Sequence, residues 1–130
     1  MITSTDIANI LYRDCKSFGI SVVPQGQTLV GGLKDERIVI HAKRQQPGRI
    51  WKKSFIELNI CVPDLAPNEA NTIRLNELER MANSRFSDVV GDYDNTSYYY
   101  SIASTGMEKD EHLKCHYVNV RIMFEVLNVK

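Results

Sequence analysis

Apolar residues near the start of the chain recur every three or four positions, which predicts an amphipathic helix. The stripe consists of Ile7, Ile10, Leu11 and Phe18. The Thr-Ser-Thr run at positions 3–5 supplies an N-cap, Asp6 suits the positive first turn, and Gly19 is the expected stop. A short extended piece should follow over residues 20–23, and residues 25–36 are typical of a loop or irregular strand.

Strict alternation of apolar and polar residues then predicts two long strands joined by a turn. The first covers Arg37–Arg44, and the second covers residues 50–62. In the turn between them, Pro47 and Gly48 occupy the central positions of a type II turn. At about 3.3 Å per residue, such strands carry their turn beyond the core, so we expect a projecting hairpin. The side chains predicted to face the core are Ile56, Leu58, Ile60 and Val62.

The second half of the chain returns to helical spacing and then to alternation. Leu75, Leu78, Ala82 and Phe86 predict a second helix over residues 68–86. The elements expected after it are a polar connection (87–96), a strand (97–104), an acidic turn (106–111) and a long final strand (112–127). This order predicts a single α+β domain over residues 1–130. Its antiparallel or mixed β-sheet should carry two helices packed on one face, together with the projecting basic β-hairpin.

The composition indicates the general class of protein but no particular reaction. The 130 residues are 43% hydrophobic and 25% charged, which is ordinary for a soluble globular chain. The first residues lack the pattern of a signal peptide, and no apolar run is long enough to span a membrane. Three widely spaced cysteines, Cys15, Cys61 and Cys115, indicate reduced and mostly buried thiols in a cytosolic product.

The charge is distributed unevenly although the net charge is zero. Residues 34–53 hold seven basic and two acidic side chains (+5), whereas residues 54–130 hold seven basic and twelve acidic ones (−5). The basic hairpin is therefore either a solvated tip whose charges keep the strand edges from aggregating, or an arm that contacts acidic protein surface or DNA. Its tryptophan favours the arm, because an aromatic residue among cations often anchors an interface. The predicted contact residues are Lys43, Arg44, Arg49, Trp51, Lys52 and Lys53, with Glu108, Asp110 and Glu111 as an acidic counterpart.

The only metal-like motif is His112-x-x-Cys115-His116. On a strand, residues 112 and 116 would point one way and residue 115 the other, so the three side chains should not converge. We therefore assign no catalytic, cofactor-binding or metal-binding residue and expect that the protein is not an enzyme. An enzyme or metal protein built on these three residues stays open as an alternative.

In its order of elements the chain resembles the tail terminator and tail-completion proteins of long-tailed bacteriophages, which join tail to head. The likeness is strongest over residues 54–62 leading into the second helix, and over residues 116–126. It implies a structural phage or prophage protein that forms a hexameric ring at the tail end or head–tail junction. The implied partners are other copies and tail tube or head-completion proteins. The ring would assemble in the host cytoplasm, reside in the virion and let DNA pass without sequence-specific binding. The alternative is a non-viral adaptor or binding module that places its basic hairpin on an acidic protein or nucleic acid.

Overall fold

The structure is a computed structural model that describes residues 2–24, 27–42 and 51–127. Within these ranges, none of the helices is long and apolar enough to cross a membrane. The elements in chain order are helix α1 (Ser4–Cys15), strands β1 (Ser21–Val22), β2 (Arg37–Ala42) and β3 (Trp51–Pro63), helix α2 (Thr72–Arg85), and strands β4 (Val89–Tyr93), β5 (Thr96–Asp110) and β6 (Cys115–Leu127).

Helix α1 begins at a reciprocal cap between Asp6 and Thr3, the first of the three predicted N-cap candidates. The backbone N–H of Thr3 donates to Asp6 Oδ2 at 2.9 Å, and the N–H of Asp6 donates to Thr3 Oγ1 at 3.2 Å. Two N–H groups that the helix leaves without partners are satisfied in this way. The helix continues as a short 3₁₀ turn, Lys16–Phe18, and stops at Gly19, whose φ of 73° favours glycine.

The six described strands form one mixed sheet in the order β1-β2-β3-β6-β5-β4. β1 and β2 are parallel, and every other neighbouring pair is antiparallel. β6 therefore lies in the centre of the sheet, between β3 and β5. This arrangement confirms the predicted α+β class with a mixed sheet.

Both helices pack on the same face of the sheet and share one core. Ile7, Ile10 and Leu11 of α1 are buried with Leu75 and Leu78 of α2. The inward side chains of the central strands, as predicted from alternation, complete this core: Ile56, Leu58, Ile60, Val62, Val118, Val120, Ile122, Phe124 and Val126. The other face, called the outer face below, carries the alternate side chains of the same strands.

An aromatic cluster closes the core where α1 meets β5 and β6. The ring of Phe124 stacks on Tyr98 and Tyr100 at centroid distances of 5.2 and 5.6 Å. The hydroxyl of Tyr100 donates to Asp14 Oδ2 at 2.6 Å, and Arg13 Nη2 donates to the hydroxyl of Tyr98 at 2.8 Å. The tyrosines therefore bury their rings and keep hydrogen-bond partners on α1.

The predicted basic hairpin is described in part. β2 and β3 pair antiparallel from Arg37 opposite Cys61 to Ala42 opposite Ile56. The predicted turn and its projection beyond the core lie within residues 43–50, outside the described residues.

The prediction of a polar connection over residues 87–96 is wrong, because Val89–Tyr93 forms the edge strand β4. Asp94 and Asn95, with φ values of 51° and 60°, make the tight turn that returns the chain into β5. Both central residues of a type I′ hairpin turn adopt positive φ, and Asp and Asn tolerate this conformation. The Asp-Asn dipeptide was therefore a hairpin signal within an apparently polar segment.

The acidic turn lies further along the chain than predicted. β5 continues to Asp110, so the turn covers residues 111–114 and the final strand starts at Cys115 rather than at residue 112. The side chain of Asp110 fixes this turn by accepting the N–H of Leu113 at 2.9 Å, and Lys114 adopts a positive φ of 53°.

Helix α2 begins four residues later than predicted, at Thr72. Asn71 is its N-cap and accepts the N–H of Arg74 at 3.2 Å. Residues 65–69 form a turn instead, in which the N–H of Leu65 donates to the carbonyl of Glu69 at 2.9 Å. Asn68 has a φ of 64°, which is incompatible with a right-handed helix.

Gly91 in β4 provides a test of this edge of the sheet. A Cβ atom at this position would collide with the ring and hydroxyl of Tyr98, whereas one at Gly106 in β5 would meet no atom within 4 Å. We expect Gly91→Ala to lower the free energy of unfolding by about 1–3 kcal/mol, the usual cost of overpacking. Gly106→Ala is the matched control and should be near neutral in urea unfolding. Equal effects of the two substitutions would contradict the packing of Tyr98 over β4.

Candidate interaction surface at the two ends of the sheet

The two predicted charged regions adjoin opposite ends of β3: the basic segment leads into its first residues along the sequence, and the acidic residues lie beside its last ones. Along β3, Trp51 pairs with Leu127 at one end, and Pro63 pairs with Cys115 at the other. Cys115 pairs in turn with Asp110 of β5. The eleven residues from Lys53 to Pro63 span about 33 Å of extended strand. We call the region at the start of β3 the basic end, and residues 64–69 with 108–114 the acidic end.

The basic end is described only in part. Lys53 is exposed on the outer face, and its Nζ lies 3.8 Å from Oε1 of Glu125 on β6. An exposed pair of this kind contributes little stability, about 0.2–1 kcal/mol, so Lys53 remains available to a partner. For Trp51 and Lys52 the structure describes the backbone alone, as the first residues of β3. The predicted contact residues outside the described ranges are Lys43, Arg44 and Arg49.

The acidic end gathers five carboxylates and two lysines from two segments of the chain, a net charge of −3. Glu108 is exposed on the outer face, opposite Tyr117 in the register of β5 and β6. Glu111 is exposed in the turn, where its Oε1 lies 3.6 Å from Nζ of Lys109. Asp110 is half-buried and uses one oxygen to hold the turn. Of the three acidic residues predicted, Glu108 and Glu111 are therefore the freer to meet a partner.

An open pocket of about 530 Å³ lies beside these acidic residues. It separates the loop after β3 from the end of β5. Lys109 crosses between the two and donates from Nζ to Asn68 Oδ1 at 2.7 Å. The lining combines both charges with apolar surface, through Asp64, Leu65, Ala66, Pro67, Asn68, Lys109, Glu111 and Lys114.

Large apolar side chains are exposed at or beside the same end. Leu65 in the loop after β3 is 65% exposed, Met107 near the end of β5 is 50% exposed, and Ile73 in the first turn of α2 is 84% exposed. Single exposed apolar residues are common on proteins. Leu65, however, lines the charged pocket, and an apolar anchor within a polar rim is typical of an interface.

Asp64, which lines the pocket, forms a largely buried polar pair with His116. His116 Nδ1 lies 2.7 Å from Asp64 Oδ1, and their side chains are only 14% and 8% exposed. A carboxylate only accepts hydrogen bonds, so Nδ1 of the imidazole carries the proton and donates it. The pair joins the loop after β3 to the start of β6.

The described residues contain no group of three or more His, Cys, Asp or Glu side chains that could hold a metal ion. His112 lies in the turn, His116 faces the helices, and Cys115 faces the outer side of the sheet. The structure therefore does not bring the three residues of the metal-like motif together.

The pocket was not predicted from the sequence, although one residue pointed to it. His116 occupies a core-facing position of the final strand, where its neighbours are valines. A buried imidazole needs a polar partner, so a second polar residue had to lie nearby. That partner, Asp64, is 52 residues away in the sequence, and nothing in its local pattern identifies it.

No protein-family model, curated protein or solved structure matches this chain. Functional inference therefore depends on the geometry of the chain itself.

Proposed function

We propose that this protein is a structural subunit that assembles head to tail into a closed ring at the tail end or head–tail junction of a phage or prophage. The observation that carries the proposal is the net negative charge beside the end of β3, and the basic segment of the sequence adjoins the start of the same strand. In a head-to-tail ring each subunit offers two different surfaces to its neighbours. Opposite charge on these surfaces favours the correct orientation.

Charge alone supplies too little affinity for such a ring. Exposed ion pairs contribute about 0.2–1 kcal/mol each and are weakened by salt. Burial of apolar surface contributes roughly 25 cal/mol per Å², so the exposed side chains at the acidic end are the natural source of affinity. Leu65 and Met107 are the residues we expect a neighbouring subunit to cover, with Trp51 as the aromatic anchor on the basic side.

The role is structural and requires no catalytic residue or cofactor. A subunit of this kind would contact other copies first, and then tail tube or head-completion proteins. It would assemble in the host cytoplasm and remain in the virion. DNA would pass the ring without sequence-specific contacts, consistent with the zero net charge of the chain.

The direct test is molar mass by light scattering after size exclusion, over a range of protein and salt concentrations. We expect a concentration-dependent step to a closed oligomer near six copies, weakened by salt. A protein that stays monomeric but binds DNA in a salt-dependent manner would contradict self-assembly and favour the adaptor alternative.

Charge reversal tests the orientation of the contact. Arg44→Glu combined with Arg49→Glu should abolish the oligomer while far-UV circular dichroism stays unchanged, because like charges would then face each other. Arg80→Glu, on the exposed surface of α2, is the control for a change of charge elsewhere and should leave assembly intact. Rings that form normally from the double variant would refute the role of the basic segment.

A further inference from the structure

Two of the three cysteines are neighbours on the outer face of the sheet. Cys61 of β3 pairs with Tyr117 of β6, and Pro63 pairs with Cys115, so the two cysteines are diagonal neighbours on adjacent strands. Both are buried and neither is in a disulfide. The thiol of Cys61 donates to the carbonyl of Asn59 at 3.8 Å. Because both cysteines belong to one small buried cluster, a disulfide between them would join residues that already lie together.

The pair lies in a small apolar cluster apart from the main core. Leu113 from the turn before β6 is buried with the two cysteines, and Leu29 and Leu33 pack over them. These two leucines belong to residues 27–36, which we call the crossover segment because it connects the parallel strands β1 and β2. The segment is fixed by the N–H of Leu33, which donates to the carbonyl of Leu113 at 2.8 Å.

The crossover segment is also anchored at its far end. Arg74 of α2 donates two hydrogen bonds to the carboxylate of Glu36, at 2.7 and 2.9 Å. Leu29 and Leu33 pack against the cysteine cluster together with Val39 of β2 and Tyr117 of β6. Displacement of the crossover segment would open one side of the cluster to a reagent while the main core stays folded.

The two thiols are chemically unequal. The interaction with the Cys61 thiol lowers the pKa of Cys115, whereas the same interaction, together with burial, raises the pKa of Cys61. Since the thiolate is the nucleophile in disulfide exchange, Cys115 is the residue suited to attack first and Cys61 the one suited to resolve.

We propose that Cys61 and Cys115 form a redox-active dithiol that is converted to an intramolecular disulfide by a small disulfide of the glutathione class. The sulfur of Cys115 attacks the reagent, forms a mixed disulfide and releases one thiol. Cys61 then attacks the sulfur of Cys115 and releases the second thiol, which takes up the proton of Cys61. Two protein thiols are thus oxidised, one small disulfide is reduced, and the bond formed joins β3 to β6.

Cys15 is the internal control for this chemistry. It is buried in the main core beneath α1, and burial raises its pKa to about 12. A thiol that is neither ionised nor adjacent to a second thiol should exchange slowly and should stop at a mixed disulfide. The inference does not depend on ring assembly.

The experiment incubates the reduced full-length chain with oxidised glutathione and then alkylates the remaining thiols after denaturation. We expect mass spectrometry to show a product that has lost two hydrogens, carries no glutathione, retains an alkylated Cys15 and reverts with dithiothreitol. Peptide mapping should join Cys61 to Cys115. The oxidised protein should also unfold at a higher temperature, because the cross-link restricts the unfolded chain.

Single substitutions separate the two roles. Cys61→Ala should stop the reaction at a glutathione adduct on Cys115, and Cys115→Ala should slow modification of residue 61 at least tenfold. Leu33→Ala should accelerate closure severalfold, because it loosens the cover. The proposal would be overturned if Cys15 reacts as fast as the pair, if stable adducts form separately on both cysteines, if disulfides form only between molecules, or if neither the native protein nor the Leu33→Ala variant forms the bond.

Discussion

Replacing Phe124 by alanine is expected to lower the free energy of unfolding by about 3–5 kcal/mol, the largest loss we predict for a single substitution. Phe124 is fully buried in the central strand β6 and stacks on Tyr98 and Tyr100. Removing the ring leaves a cavity that two stacked tyrosines cannot fill, because their hydroxyl groups are tied to α1. The measurement is urea unfolding followed by far-UV circular dichroism.

Phe55 offers a control of the same residue type in the neighbouring strand. It lies on the outer face, is 37% exposed, and contacts the guanidinium of Arg121, whose central carbon is 3.9 Å from the ring centroid. Phe55→Ala should cost no more than about 1 kcal/mol, the size of an exposed cation–π contact. Similar losses for the two alanine variants would contradict the assignment of the helix-covered face as the core.

The second large effect is a loss of stability at alkaline pH that comes from Cys15. Burial, with a smaller contribution from Asp14, raises the pKa of this thiol from 9.0 to about 12. The unfolded chain therefore releases its proton at lower pH than the folded one. The contribution of the protonated Cys15 thiol to the free energy of unfolding is complete below pH 9 and is lost as the pH rises towards 12. Between pH 8 and pH 11 we expect a fall of about 2–3 kcal/mol in the free energy of unfolding from Cys15 alone.

The buried hydroxyl of Tyr100 adds to the same trend. Burial and its hydrogen bond to Asp14 raise the pKa of Tyr100, so its contribution is lost above pH 10. The Cys15→Ala variant separates the two groups, since it keeps the tyrosine and lacks the thiol. Urea unfolding under reducing conditions should give a shallower decline for the variant than for the parent. Parallel curves from pH 8 to pH 11 would mean that Cys15 is accessible to solvent in the folded protein.

The elements that were predicted well are those in which one local signal determines the structure. β3 and the inner part of β6 have one face buried throughout, so the alternation of their apolar and polar residues is unbroken. Helix α1 begins at a local cap that Thr3 and Asp6 form. β4 was missed because Gly91 and Asp92 are poor strand formers. It forms because the ring of Tyr98 covers the glycine and because Asp94 and Asn95 close the turn.

Other differences come from pairing over a long distance. Gly106 looked like the start of a turn, yet β5 continues past it because β6 pairs with it as far as Asp110. The candidate surface likewise depends on contacts between residues far apart in the sequence. The unequal charge is visible in composition, whereas the pocket is not, because it depends on the contact between Asp64 and His116. Likewise, the adjacency of Cys61 and Cys115 follows from strand register and not from their spacing.

The central position of β6 also determines when the protein can fold during synthesis. On the ribosome, the segments that form β2–β3 and β4–β5 emerge first, each with an unpaired strand edge and one uncovered apolar face. They can join only through β6, which follows both in the sequence and pairs with both. The nascent chain therefore stays exposed to chaperones and to aggregation until residue 127 has cleared the exit tunnel. Pairing of β6 with both β3 and β5 then closes the sheet.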